Sequence, residues 1–131
     1  NQQDAIQIYA KPQAKEWIGE KLNSGEKLFI ASEQGLGDTI QFMRYIPYLR
    51  KKGIHISFCA QTKLHQLIKE SDISNNPLPP KKEKFNFDGK WAPLLSLPKY
   101  LNVDSSNPVV KSPYLKINKD RISYWKNIFS N

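Results

Sequence analysis

The chain has 131 residues, enough for one domain with a single core, and 39% of them are hydrophobic. Its net charge of +8 is spread along the chain without a nucleic-acid recognition motif, so a nucleic-acid partner is disfavoured. The single cysteine, Cys59, rules out a disulfide framework or a thiolate metal site built from this chain alone, and we interpret it as a buried structural thiol. No apolar run approaches the roughly 18 residues of a membrane span, and the first residues resemble no signal peptide. We therefore expect a cytoplasmic protein without a membrane span.

The amino-terminal segment, residues 1–24, is polar. It contains Trp17 and Ile18 but no alternating apolar pattern, and it ends at the turn signal Asn23-Ser24-Gly25. We interpret it as a lead-in from an upstream region rather than a core strand. Residues 25–131 are then expected to form the domain proper.

Alternating strand and helix patterns follow. A short apolar run at 27–32 and another at 54–60 predict strands buried in a parallel sheet. Apolar residues at helical spacing predict helices over 39–52 and 62–70, and Pro47 should kink or divide the first of them. This order predicts an α/β fold with a Rossmann-like parallel sheet flanked by helices.

The remaining residues give weaker patterns. Short extended segments are expected near 84–88 and 91–94, and a brief helix near 97–101. A final helix is predicted over about 119–129, because Ile122, Trp125 and Phe129 lie on one stripe.

The segment most informative about function directly follows the first predicted strand and reads Glu33-Gln34-Gly35-Leu36-Gly37-Asp38. Ligands bind at the carboxyl ends of strands in open α/β sheets, and glycines let the backbone approach a ligand closely. The segment lacks the third glycine of a dinucleotide fingerprint and the Gly-Lys-Ser/Thr of a P-loop, which disfavours NAD and ATP. The glycine turn and the helix start after it could accommodate a phosphate or a sugar hydroxyl, and we expect no cofactor.

The acids of this segment have both structural and functional interpretations. Asp38 stands at the expected N-cap with Gln41 three residues later, which is a capping-box arrangement. Glu33 and Gln34 are polar residues at the end of an apolar strand, so they should face a cleft rather than the core. Two histidines, His55 and His65, lack the spacing of metal ligands, and no metal is expected.

The thirteen residues from Glu33 to Tyr45 resemble the signature of bacterial tetratricopeptide-repeat proteins whose carboxyl region is a heptosyltransferase-like (glycosyltransferase family 9-like) domain of the GT-B type. Three further blocks extend the resemblance over residues 15–130. They are Trp17-Ile18-Gly19-Glu20, Pro93-Leu94-Leu95-Ser96-Leu97-Pro98, and Pro113-Tyr114-Leu115 with Trp125.

The resemblance implies the amino-terminal, acceptor-side half of an inverting glycosyltransferase, with Asp38 as general base on the acceptor hydroxyl. The implied acceptor is a glycan, a lipid-linked saccharide or a protein. A missing second domain would hold the nucleotide-sugar donor, so we expect this chain to be inactive alone. The candidate substrate-binding residues are Glu33, Gln34, Gly35, Gly37, Gln41 and Arg44.

Two alternatives stay open at this point. The domain could be a non-catalytic binding or scaffold module of a repeat protein, with the glycine turn kept for folding. Arg44 could equally be a solvated or salt-bridged helix residue. The capping and catalytic interpretations of Asp38 differ in whether its carboxylate faces an open cleft.

Overall fold

A computed structural model describes residues 9–33 and 35–101. Within these residues four strands form one sheet: β1 (Lys11–Glu16), β2 (Lys27–Ala31), β3 (His55–Cys59) and β4 (Lys84–Pro93). Their order across the sheet is β1-β4-β2-β3, and all three neighbouring pairs are parallel. The fold is α/β and Rossmann-like, as the alternation of strand and helix patterns predicts.

Helices follow each of the last three strands. They are α1 (Leu36–Phe42), α2 (Ile46–Lys51), α3 (His65–Glu70) and α4 (Leu97–Tyr100). A 3₁₀ turn at Met43–Tyr45 joins α1 to α2, and Pro47 lies in the first turn of α2. Because proline lacks the N–H that a helix interior requires, the predicted long helix is divided in two there.

The main hydrophobic core lies between the helices and one face of the sheet. Leu28 and Ile30 of β2 are fully buried there, beside Phe58 of β3 and Ala92 of β4. The helical segments add Met43, Ile46, Leu49, Leu64, Leu67, Ile68 and Leu97. Since burying one such side chain stabilises a fold by about 1.5–3 kcal/mol, this cluster supplies most of the apolar stabilisation of the described residues.

A smaller cluster covers the opposite face of the sheet. The ring of Phe29 packs against Phe85 at 5.2 Å and Phe87 at 5.4 Å between centroids. Cys59 lies in the same cluster with no exposed surface, and burial raises the pKa of its thiol to about 11. The interpretation of Cys59 as a buried structural thiol is confirmed.

Among the strands of residues 9–33 and 35–101, β1 lies at the edge of the sheet. It falls inside the segment interpreted as a lead-in, where the sequence analysis predicted no strand. Most of its residues are exposed and three of the six are charged, which discourages a further strand from adding to this edge. Directly after it, Trp17 is 3% exposed. The Trp17 backbone N–H donates to the Trp91 carbonyl at 2.7 Å, and its Nε1 donates to the Glu20 carbonyl at 2.7 Å. The first of these bonds attaches the lead-in to β4, and the second holds the indole within the lead-in.

β4 is one bulged strand where two short extended segments are predicted. Gln13 of β1 faces Asn86, but Lys15 faces Lys90, so β4 holds extra residues between these two pairs. A Cβ at Gly89 would lie 2.5 Å from the Lys27 carbonyl oxygen. Only glycine permits this close approach of two backbones.

The other elements largely follow the sequence. The strands predicted at 27–32 and 54–60 and the helices predicted at 62–70 and 97–101 are confirmed, with ends shifted by a residue or two or begun by a 3₁₀ turn. The helix expected from Thr39 begins three residues earlier, at Leu36. The helix predicted over 119–129 lies outside the described residues. Among the helices that are described, none combines the length and apolarity needed to cross a bilayer.

Candidate ligand crevice at the carboxyl end of the sheet

β2, β3 and β4 end together at one edge of the sheet. Ala31 pairs with Cys59 of β3 on one side and with Pro93 of β4 on the other. Two residues past these ends stand Glu33, Gln61 and Leu95. The chain crosses from β2 to β3 in one direction and from β3 back past β2 to β4 in the other. The loops after β2 and β4 meet at this edge, where the Leu95 backbone N–H bonds to the Glu33 side chain, and open α/β sheets bind ligands at the carboxyl ends of their strands.

The sequence predicts that Glu33 faces a cleft, but the structure buries this residue at the edge of the sheet. Its side-chain Oε1 accepts a hydrogen bond from the Leu95 backbone N–H at 2.9 Å, although 62 residues separate the two in sequence. The residue is only 6% exposed. Burial raises the pKa of its carboxyl, the nearby charge of Asp38 adds to the rise, and the Leu95 bond opposes it. A carboxyl with a perturbed pKa at the carboxyl edge of a parallel sheet is a candidate ligand-binding group.

Asp38 is exposed beside Glu33 and does not cap the helix. The N-cap of α1 is Gly35, no side chain makes a capping hydrogen bond, and Asp38 lies in the first turn. The capping box predicted for Asp38 and Gln41 is therefore wrong, because α1 begins at Leu36 and places Asp38 one turn too late to cap it. An acid in the first turn is still favoured by the helix dipole, by about 0.3–1 kcal/mol.

Gly35 and Gly37 differ in why a glycine stands at each position. Gly35 has a φ of +97°, a conformation that side chains of L-residues rarely adopt. A Cβ at Gly35 would lie 3.2 Å from Asp38 Oδ2, so the turn and the acid are packed together. Gly37 lies within α1, and a Cβ there would meet no atom within 4 Å. Gly35 is thus required by the backbone, whereas Gly37 leaves open space at the rim.

Two residues of the crevice were missed by the sequence analysis. The side-chain amide of Gln61 donates to the carbonyls of Glu33 and Gly35, each at 3.2 Å. Thr39 Oγ1 lies 2.9 Å from Gln61 Oε1, and the pair is buried. The only local signal was the position of Gln61 at the end of β3, where a dinucleotide fold would carry an acid for the ribose.

The remaining candidates lie around or beyond this rim. Gln41 is exposed one turn after Asp38, and Arg44 is half-buried in the 3₁₀ turn that follows α1. Gln34 lies outside the described residues. His65 Nε2 lies 2.9 Å from the Ala60 carbonyl oxygen, a local structural contact. Within residues 9–33 and 35–101, no group of three or more His, Cys, Asp or Glu side chains could hold a metal ion.

Two concave regions lie away from the crevice. One, of about 290 Å³, borders the edge of β3 near Arg50, Ser57 and Asn75. The other, of about 450 Å³, lies beneath the turn that follows Trp17, next to Tyr100. Neither is lined by Glu33 or Asp38.

No family model matches the sequence, and neither the curated proteins nor the solved structures contain a match. The function proposed below therefore rests on the chemistry of the crevice and on the resemblance of Glu33–Tyr45 to heptosyltransferase-like domains.

Proposed function

We propose that this chain is the acceptor-side domain of an inverting glycosyltransferase, which transfers a sugar from a nucleotide donor to an acceptor hydroxyl. The observation that carries the proposal is the exposed carboxylate of Asp38, which makes no capping bond and stands beside Glu33 at the carboxyl edge of the sheet. The resemblance of Glu33–Tyr45 to heptosyltransferase-like domains supports the same role for Asp38.

The proposed chemistry needs one base at the acceptor. The acceptor oxygen attacks the anomeric carbon of the donor sugar, its proton passes to the Asp38 carboxylate, and the bond from that carbon to the nucleotide diphosphate breaks. A rigid helix start is a suitable support for such a base, because positioning lowers the barrier as much as basicity does.

The neighbouring residues then bind the acceptor. Glu33 is fixed by the Leu95 N–H and offers its second oxygen to a sugar hydroxyl. The open space above Gly37 lets a ring approach the helix backbone. Gln34, Gln41 and Arg44 stay candidate acceptor contacts, and a second domain would supply the nucleotide-sugar donor.

The test uses the full-length parent protein and a panel of nucleotide sugars, and it measures release of nucleoside diphosphate with candidate saccharide acceptors. Asp38→Asn should lower the transfer rate by about 10²–10⁴-fold, the usual contribution of a general base. Its melting temperature should stay within a few degrees of wild type, because the side chain caps nothing.

Asp88→Asn is the matched control, since Asp88 is also an exposed aspartate but lies in β4. It should leave transfer unchanged. A parent protein that transfers no sugar from any donor, but whose crevice residues respond to saccharides in NMR titrations, would favour the non-catalytic binding module. An active parent that tolerates Asp38→Asn would refute the assignment of the base.

A further inference from the structure

Gln61, two residues after β3, has a buried side chain. Both the nitrogen and the oxygen of its amide are hydrogen-bonded within the protein. The residue is 9% exposed. Its Nε2 donates to the Glu33 and Gly35 carbonyls at 3.2 Å each, bridging to residues that precede it by 28 and 26 positions. Both backbone groups belong to the turn that leads from β2 into α1.

The orientation of the amide is set by Thr39. Its hydroxyl lies 3.1 Å from the Gly35 carbonyl and 2.9 Å from Gln61 Oε1, and it has one proton to donate. The Gly35 carbonyl already accepts from the Thr39 N–H and from Gln61 Nε2, which uses its two lone pairs. The hydroxyl proton therefore goes to Gln61 Oε1. Flipping the amide would place that oxygen against two carbonyl oxygens, so only one orientation is stable.

We infer that Gln61 is the positioning residue of the crevice. Its amide holds the turn from Glu33 to Gly35, and this turn fixes the Glu33 carboxyl and the first turn of α1 that carries Asp38. Gln61 does not itself bind the ligand, because the N–H groups and the oxygen of its amide are already bonded within the protein. The inference goes beyond glycosyl transfer and holds for any ligand of the crevice.

Gln61→Met tests the inference, because methionine keeps the length of the side chain and removes its hydrogen bonds. The readout is the backbone amide NMR spectrum of the 131-residue chain. We expect the Gly35 and Gly37 resonances to move by more than a linewidth while that of Gly25, at a distant turn, stays in place. The melting temperature should fall by roughly 12 °C, because three hydrogen bonds are lost.

Gln66→Met is the matched control. Gln66 is exposed on α3, where its Nε2 donates to Glu70 Oε2 at 3.0 Å. This variant should leave the Gly35 and Gly37 resonances unchanged. A purely structural role for Gln61 would lower the melting temperature of Gln61→Met without moving those two resonances, and that result would overturn the inference.

A measurement on the unchanged protein covers the case in which Gln61→Met does not fold. The Gln61 side-chain amide protons should exchange with solvent much more slowly than those of Gln66, because they are buried and bonded to two carbonyls. Equally fast exchange of the two amides would also overturn the inference. Neither experiment requires sugar transfer, so failure of the proposed enzymatic function would leave both readouts intact.

Discussion

Replacing Gly35 by alanine should destabilise the protein, whereas replacing Gly37 by alanine should stabilise it slightly. Gly35→Ala forces a side chain into a backbone with φ of +97°, and such strain costs on the order of 1–3 kcal/mol. The backbone cannot relax freely, because the Gly35 carbonyl accepts bonds from Thr39 and Gln61. The new Cβ would also lie 3.2 Å from Asp38 Oδ2, and this exposed carboxylate can rotate away at little cost.

Gly37→Ala is the internal control for this prediction. Gly37 has an ordinary helical backbone, and the added Cβ meets no atom within 4 Å. Alanine is favoured over glycine in a helix by up to about 1 kcal/mol, and by less near the end, so we expect a gain of about 0.5 kcal/mol.

Thermal and urea denaturation of the two variants measure the difference. At roughly 4 °C per kcal/mol for a domain of this size, Gly35→Ala should melt about 4–12 °C below wild type and Gly37→Ala slightly above it. Equal melting temperatures for Gly35→Ala and wild type would refute the assignment of a strained turn at Gly35. In an active parent, Gly37→Ala should weaken acceptor binding without loss of stability, because its methyl group enters the open space at the rim.

Two further predictions test the crevice acid and the lead-in. Because burial, with the charge of Asp38, raises the folded-state pKa of Glu33 above its ordinary value of 4.5, its ionisation opposes folding as pH rises through the folded pKa. The melting temperature of Glu33→Gln minus that of wild type should therefore grow between about pH 4 and pH 8, and a constant difference would contradict the raised pKa. Trp17→Ala should cost about 3–5 kcal/mol in urea denaturation, because the indole is 3% exposed and packs edge-on against Tyr100 at 5.3 Å between ring centroids. The neighbouring Ile18→Ala, at a residue 66% exposed, should change stability by less than about 0.5 kcal/mol. A loss for Trp17→Ala as small as that for Ile18→Ala would show that the lead-in is not part of the core.

The central elements were predictable because they bury a continuous apolar face. β2 and β3 read as short apolar runs, and the helices between them read as apolar stripes at helical spacing. β1 gave no such signal, because an exposed edge strand needs no apolar alternation. β4 was read as two pieces, since its bulge interrupts the alternation and only its pairing with both β1 and β2 makes it one strand.

The candidate site was predictable in position but not in construction. The glycines and acids after an apolar strand located the crevice, because strand ends in parallel sheets are binding sites. The start of α1 was misplaced by three residues, and with it the structural role of Asp38. A helix start depends on where the backbone can turn, and the positive φ of Gly35 moved that turn upstream of the acid.

The sequence by itself determined the local helices and strands and the glycines and acids that follow β2. Periodicity and turn residues act over only a few positions, so these features can be read from the sequence. The tertiary structure alone decided that the ends of β2, β3 and β4 meet, with Glu33 bonded to Leu95 and Gln61 to the glycine turn. Those bonds join residues 26 to 62 positions apart, and no local pattern records them. They form only once the parallel sheet brings three carboxyl ends to one edge.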